Sequence, residues 1–448
     1  MRYRFLLSVN ILIFLSYAAI AQYGLTPNAG YEKRIREYID TLRIIDNHEH
    51  LLPPEILKES SFFDFMSLFQ QYGYDYLISA GMPPDNFNSL FNEPLSPQKK
   101  WKIIEPYWKR TFNTSINRVI LLGMRHLYGY SYLNENTVGP LSEKIRNAYN
   151  TDWFDRILRD SCRIDYVIQD GLYMQGKDDY FRYAKRFDAW LTTNYRYRID
   201  SLAMRQLEPI YSLDDYVKSM KTEFNKQLKN GMIVIKITVS YSRTLHFENV
   251  TREAARKVFR NIVNGDEGHS ISFSEAKPLQ DFLLYRLLDL AREYKVPVAF
   301  HTGLQAGYSN ITRYSDPFDM TNLFLEYPDV NFILYHGSYP YGGELAAVAK
   351  NYPNVYFDMN WIFSVSPSYS ERYLEEWLEV VPASKIIAFG GDMMAVENVY
   401  AESLIARNII SDVLCRKVGN GELTEPEAKS VAKMILYDNA ARLYKLGR

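Results

Sequence analysis

Cysteine is scarce in this chain, and this scarcity limits how the fold can be stabilised. Two cysteines, Cys162 and Cys415, occur among 448 residues. A disulfide framework is therefore excluded as the main source of stability, and both thiols are expected to be free and packed in the core. The fold must depend instead on the 47% of residues that are hydrophobic.

An excess of charge of either sign is also lacking. Lys and Arg number 52 against 53 Asp and Glu, which gives a formal net charge of −1. A nucleic-acid partner would require a strongly basic surface, so none is expected. The composition is close to that of an ordinary globular protein.

The N-terminus has the features of a targeting segment. Arg2 and Arg4 precede the apolar stretch Phe5–Ile20, and Ala19-Ile20-Ala21 is a cleavage sequence of small residues. Residues 1–21 are therefore predicted to be a signal peptide of an exported protein, periplasmic or secreted. An uncleaved anchor is the alternative, but the stretch is short and interrupted by polar residues. No membrane span is expected in the mature chain.

Four short polar stretches each follow an apolar, strand-like run. They are Asp46-Asn47-His48-Glu49-His50, Phe300-His301-Thr302-Gly303, Tyr335-His336-Gly337-Ser338 and Phe389-Gly390-Gly391-Asp392. Largely apolar strands that alternate with helices indicate a buried parallel sheet. Metal-ligand residue types at the ends of such strands indicate a site on the C-terminal rim of a barrel.

The whole chain can be divided into eight such strands with helices between them. The predicted strands are Arg43–His48, Arg163–Gln169, Phe181–Trp190, Met232–Val239, Val296–Phe300, Asn331–Tyr335, Asn354–Met359 and Ile386–Phe389. Predicted helices include Leu213–Lys229, Pro278–Tyr294 and a last one that begins with a capping box at Thr424. The fold class is therefore α/β, a (β/α)₈ TIM barrel, with residues 22–448 forming a single domain.

Residues 51–150 interrupt this pattern after the first strand. A connection of this length must contain helices of its own. It is predicted to lie over the catalytic rim, where it either covers the substrate or forms a contact between copies in a homo-oligomer.

The His-x-His sequence has the most informative geometry of the four stretches. Alternate residues of a strand project to the same side, so His48 and His50 can bind one ion from a single strand end. Neutral imidazole and carboxylate ligands suit a divalent ion such as Zn²⁺. Any one of these histidines alone would more often be a hydrogen-bonded core residue.

The four stretches together, in this order, resemble the metal-dependent amidohydrolase superfamily and its amidohydrolase-related branch. That branch includes decarboxylases and the amidohydrolase domains fused to glutamine synthetase in nodulin-like proteins. The resemblance implies one divalent metal per chain, zinc, bound by His48, His50, His301 and Asp392. It also implies that Asp392 is the general base and that His336 polarises the substrate or shuttles a proton.

Three roles are open for Lys236, which lies on the fourth predicted strand. It matches the position of a carboxylated lysine that bridges two metals in some members of the superfamily. It could instead bind a substrate carboxylate as an ammonium, or it could be structural. Arg186, Tyr339 and Trp361 lie near other strand ends and are further candidates for substrate binding.

The resulting prediction is an enzyme, a metal-dependent hydrolase that cleaves an amide, ester or lactone bond of a small molecule with activated water. Two alternatives use similar ligands: a non-hydrolytic decarboxylase, and a sugar-acid isomerase like the uronate isomerases. A basic pocket formed by Lys236 and Arg186 would fit either alternative. A degenerate barrel that only binds ligands is the non-enzymatic alternative, and the intact set of ligands argues against it.

Overall fold

The barrel predicted from the sequence is present in the computed structural model, which describes residues 28–266 and 268–447. Eight parallel strands follow one another in chain order around a single sheet. The strands are β1 (Ile44–Glu49), β2 (Ile164–Asp170), β3 (Phe181–Arg186), β4 (Met232–Ile237), β5 (Val298–His301), β6 (Phe332–Tyr335), β7 (Val355–Asp358) and β8 (Ile386–Ile387). The (β/α)₈ fold class is therefore confirmed.

Backbone hydrogen bonds bring the chain after β8 against β1 and so nearly close the barrel. The Asn47 amide donates to the Phe389 carbonyl at 3.0 Å, and the Asp392 amide donates to the His48 carbonyl at 2.9 Å. The second bond joins two of the predicted ligands through their main chain. The distance between them is thus set by the closure of the barrel.

Helices cover the outside of the barrel and form the connection after β1. In the first half of the chain they are α1 (Tyr31–Thr41), α2 (Pro54–Glu59), α3 (Tyr72–Ser79), α4 (Asn86–Phe91), α5 (Pro97–Trp108), α6 (Ser115–Gly123), α7 (Glu135–Ala148), α8 (Trp153–Asp155), α9 (Asp188–Leu191), α10 (Arg196–Gln206) and α11 (Leu213–Lys229). Helices α2 to α7 lie within residues 51–150, so the predicted insertion is helical. A capping box between Ser212 and Asp215 begins α11 at its predicted first residue.

The second half contains the longest helices of the chain. They are α12 (Arg252–Val263), α13 (Phe273–Tyr294), α14 (Thr321–Glu326), α15 (Gly342–Asn351), α16 (Ile362–Val365), α17 (Pro367–Val380), α18 (Val396–Gly419), α19 (Glu425–Lys433) and α20 (Asn439–Tyr444). Thr424 forms the predicted capping box with Glu427 at the start of α19.

Most predicted boundaries are within three residues of the observed ones, and two were wrong by four or five residues. The third strand ends at Arg186 rather than Trp190, because the chain turns there into the short helix α9. Helix α13 begins at Phe273 rather than Pro278, because Ser272 and Glu275 form a capping box five residues upstream. Pro278 lies inside this helix.

The last helix, α20, packs across the end of the barrel opposite the predicted ligands. Leu443 and Tyr444 lie in one buried cluster with Ile45, Val234 and Ile333 from three strands. The side-chain Nδ2 of Asn439 donates to the Ile386 carbonyl at the start of β8, at 2.7 Å. This end of the barrel is therefore filled by side chains from the helix.

The two cysteines are free and buried, as expected. The predicted signal peptide, residues 1–21, lies outside the described residues. Over residues 28–266 and 268–447, no helix combines the length and apolar character needed to cross a membrane.

Candidate metal centre

Three predicted ligands meet at the C-terminal ends of the strands. One nitrogen each from His48 and His50 and one oxygen from Asp392 all lie within 4.8 Å of one another. The His48 Nε2 is 3.4 Å from the Asp392 Oδ1, and the His50 Nε2 is 3.2 Å from the same oxygen. The three side chains thus converge on one point.

The neutral ring of His48 and an unsatisfied oxygen of Asp392 fit a cation. Burial, reinforced by the charge of Lys236, lowers the pKa of His48 well below its usual 6.5, so the ring is neutral. Burial lowers the pKa of His50 too, but the Asp392 carboxylate outweighs it and leaves that pKa raised. Within the described residues, the Asp392 Oδ1 is buried without a hydrogen-bond donor. A divalent ion would satisfy this oxygen.

The ring of His50 is oriented by the strand next to it. Its Nδ1 lies 2.5 Å from the Asp170 carbonyl oxygen at the end of β2. Donation from Nδ1 to this carbonyl leaves the Nε2 lone pair facing Asp392. Metal-binding histidines are commonly held by such a bond.

His301 lies beside this cluster but is not one of the three converging residues. It ends β5, and its Nε2 lies 2.8 Å from the Leu304 carbonyl, to which it must donate. Its ring is 4.3 Å from that of His336 and lines the same cavity. The structure therefore brings together three of the four predicted ligands and places His301 next to them.

His336 occupies a constrained position directly after β6. Its backbone has φ 70°, in the left-handed region, and its amide donates to the Asp358 carboxylate at 2.7 Å. The His336 Nδ1 is 3.5 Å from the Asp392 Oδ2. Burial, followed by His301 and Lys236, lowers the pKa of His336 well below 6.5. The His336 ring is therefore neutral and lies beside the carboxylate of Asp392.

Two cations face the same cavity. The Lys236 ammonium is buried over the Tyr335 ring, 3.7 Å from its centroid, and has no hydrogen-bond acceptor among the described residues. Burial lowers its pKa to about 8. Arg186 is paired with Asp170 at 2.7 Å, and its side chain remains 44% exposed. Lys236 is therefore the less compensated of the two charges.

Tyr72, at the start of α3 in the insertion, also belongs to the site. Its hydroxyl donates to the Asp392 Oδ2 at 2.6 Å, and its ring stacks on Trp361 with centroids 4.2 Å apart. The preceding residue, Gln71, has φ 63° and lines the cavity. Neither residue was predicted from the sequence, because no motif distinguishes them from the other residues of the insertion.

Trp361 and Tyr339, the remaining residues predicted to contact the substrate, are not among the described residues that line the cavity. Trp361 is buried behind Tyr72, with its ring 5.7 Å from that of His336, and supports the site rather than lining it. The Tyr339 ring packs against Tyr369 at 4.7 Å.

The cavity has a volume of about 400 Å³, within the range of small-molecule sites. Its lining combines the metal cluster with Arg186, Lys236 and Tyr241. A small polar molecule with an anionic group matches this combination of volume and charge.

Comparison with known proteins supports the resemblance to the amidohydrolase superfamily. Residues 241–446 match the family model described as amidohydrolase. The chain is 35% identical over 178 residues to protein fluG of Emericella nidulans, an alignment that covers 38% of this chain and 20% of fluG. It is 31% identical over 106 residues to a uronate isomerase of Phenylobacterium zucineum, covering 24% and 22% of the two chains. The chain thus matches about a fifth of the length of these curated relatives.

Solved structures share the fold over nearly the whole chain. Uronate isomerase from Thermotoga maritima superposes with a TM-score of 0.77 at 16% identity, covering 94% of this chain and 98% of that one. Glucuronate isomerase from Caulobacter crescentus gives a TM-score of 0.75 at 18% identity, covering 95% and 96%. The family model confirms the resemblance to the amidohydrolase superfamily, and the solved structures show that the fold is shared.

Proposed function

We propose that this protein is a metal-dependent isomerase acting on a small hydroxylated carboxylic acid of the uronate class. The observation that carries the proposal is the buried Lys236 ammonium, which lines the cavity with the metal cluster and has no acceptor among the described residues. A substrate carboxylate would supply that acceptor. The similarity to uronate isomerases in sequence and fold supports the same substrate class.

The residues that would hold the metal are His48, His50 and Asp392, with His301 at the margin of the cluster. A bound divalent ion, for which zinc remains our proposal, would supply Lewis acidity toward a carbonyl or hydroxyl oxygen. Lys236 would hold the carboxylate of the substrate, and Arg186 would contribute to the positive field around it.

Isomerisation of an aldose to a ketose moves protons without adding atoms. The proton on C2 passes to C1 while the hydroxyl proton on O2 passes to O1, so substrate and product have the same composition. His336 and Asp392 lie 3.5 Å apart and can carry a proton between the two carbons. Tyr72 donates to the Asp392 Oδ2 and so keeps that oxygen oriented.

The hydrolase predicted from the sequence stays a prediction, and one experiment separates it from the isomerase. Purified protein of known metal content is incubated with hexuronates, with lactones and acyl amides, and with aromatic carboxylic acids. Mass spectrometry of the products distinguishes the reactions: isomerisation leaves the mass unchanged, hydrolysis adds one water, and decarboxylation removes carbon dioxide. Conversion of a hexuronate at constant mass is the expected result.

Neutral hexoses serve as the matched control for the carboxylate. They should not be converted, and Lys236→Met should raise the KM for the hexuronate more than it lowers kcat. Hydrolysis of lactones or amides with no isomerisation would contradict the proposal and support the hydrolase. About one equivalent of metal per chain is expected by elemental analysis.

A further inference from the structure

A chain of buried polar groups connects α20 with the metal centre through the interior of the barrel. The Tyr444 hydroxyl, on α20, donates to the Asn47 Oδ1, and the Asn47 Nδ2 donates to the Asp358 Oδ2 at 2.8 Å. The Asp358 Oδ1 then accepts the His336 amide at 2.7 Å. The chain therefore begins on one side of the barrel and ends at a residue of the proposed catalytic cluster.

All of these groups are shielded from solvent. Tyr444 is 4% exposed, and Asn47 and Asp358 are 0% exposed. A buried polar group that loses its hydrogen-bond partner is destabilised, so breaking one of these bonds should disturb the groups on both sides of it. The Tyr335 hydroxyl lies 3.5 Å from that of Tyr444, and Lys236 lies over the Tyr335 ring.

This series of hydrogen bonds constrains two parts of the site. Asn47 immediately precedes His48 on β1, so its side-chain bonds fix the strand that carries the His-x-His pair. Asp358 fixes the backbone of His336, which is held at φ 70°. A non-glycine residue keeps such a conformation only where its surroundings impose it.

We propose that Tyr444 is a positioning residue of the metal centre, acting through Asn47 and Asp358. The C-terminal helix is in this view part of the site, although it touches neither ligand nor substrate. The inference rests on the proposed divalent-metal site at His48, His50 and Asp392, and it goes beyond that site by assigning a function to the opposite end of the barrel.

The test is the substitution Tyr444→Phe, which removes the hydroxyl and keeps the ring in its apolar cluster. Dissociation constants for Zn²⁺ and Co²⁺ are measured by competition with a chelating dye, and the absorption spectrum of the Co²⁺ protein reports the geometry of the ligands. Affinity should fall by about tenfold or more, as for other partners of metal ligands, and the Co²⁺ spectrum should change.

Tyr437→Phe is the matched control. This tyrosine precedes α20 in the chain, and its hydroxyl lies beside Asp165 rather than in the buried chain. The metal affinity and the Co²⁺ spectrum of this variant should equal those of the unmodified protein. A loss of thermal stability in Tyr444→Phe with unchanged affinity and spectrum would show that the hydroxyl is merely structural and would overturn the inference.

A second variant keeps the inference testable if Tyr444→Phe folds poorly. Asn47→Ser breaks the chain one step nearer the cluster and leaves α20 intact, and its metal affinity should also fall about tenfold. The double variant should lose little more than either single one, because both break the same chain. Additive losses would overturn the inference, whereas failure of the unmodified protein to bind any divalent ion would overturn the metal site itself.

Discussion

Several residues of the metal centre have backbone conformations that side chains other than glycine rarely adopt. His336, Trp361 and Asp392 have φ of 70°, 65° and 57°, and Gln71 in the insertion has φ 63°. Such conformations cost free energy and persist where the surrounding structure determines them. At Asp392 the constraint is visible, because its amide donates to the carbonyl of His48.

Replacing Tyr72 by Phe should weaken catalysis while leaving the metal in place. The change removes the hydrogen bond to the Asp392 Oδ2 but keeps the ring stacked on Trp361. A hydrogen bond to a charged group is worth about 1.5–3 kcal/mol, so kcat should fall about tenfold or more. Steady-state kinetics with metal analysis measure this. Tyr76→Phe, on the same helix, is the control, and an unchanged kcat in Tyr72→Phe would remove the hydroxyl from the mechanism.

Lys236 should lower the stability of the metal-free protein at neutral pH. Burial lowers its folded-state pKa to about 8, against 10.5 for an ordinary lysine, so the unfolded chain binds more protons between these values. Stability should therefore rise as the pH rises from about 8 to 10.5, and the full cost is present below pH 8.

The variant Lys236→Met isolates this effect. At pH 7 it should be more stable than the parent by about 3 kcal/mol, since each pKa unit corresponds to 1.36 kcal/mol. The difference should shrink when urea unfolding is repeated at pH 9.5. A constant difference at both pH values would mean that the gain comes from packing rather than from the buried charge.

At the scale of elements, a buried carboxylate joins the later part of the insertion to the barrel. Glu397, at the start of α18, accepts hydrogen bonds from Tyr128, Tyr149 and Trp153. It is 0% exposed. This arrangement fixes the later part of the insertion against the helix that follows the Asp392 segment.

Truncation of this carboxylate should therefore loosen the insertion. Glu397→Ala leaves three buried donors without an acceptor, each costing about 1–3 kcal/mol. Hydrogen–deuterium exchange should increase over residues 124–155 and at the segment that carries Tyr72. Glu397→Gln keeps the shape and one of the two acceptor oxygens, and it should exchange less than Glu397→Ala. Equal protection in Glu397→Ala would show that other contacts hold the insertion.

The strand ends of the site were predictable, whereas the contribution of the insertion was not. His48, His301 and His336 follow apolar strand-like runs, and parallel strands must bring such residues to one rim. Tyr72 reaches Asp392 through the tertiary packing of α3, and neither its spacing nor its neighbours in the sequence indicates that contact.

The ends of the helices and strands also differ in how far the sequence predicts them. The capping box of Ser272 and Glu275 was a readable signal for the start of α13, and the proline at position 278 obscured it. The orientation of His301 toward the Leu304 carbonyl depends on the loop after β5. A loop conformation of this kind has no pattern in the sequence from which it could be predicted.

At the scale of the whole molecule, metal binding should stabilise the fold. A ligand that binds only the folded state adds about 2.7 kcal/mol at one hundred times its Kd, which corresponds to about 3 °C in Tm for a chain of this length. Removal of the metal by a chelator should lower Tm by at least that amount in differential scanning calorimetry. In His48→Ala the chelator should have no effect, and an equal shift in that variant would place the metal elsewhere.

The position of Tyr444 in the chain has a consequence for the order in which the protein matures. Ribosomes release β1 and its His-x-His pair first, and α20 only after all eight strands. Asn47 therefore gains the hydroxyl that donates to it only after all eight strands have been made. On the proposed role of Tyr444, high-affinity metal binding requires this helix as well as the eight strands, and a nascent chain that lacks it should bind the metal more weakly.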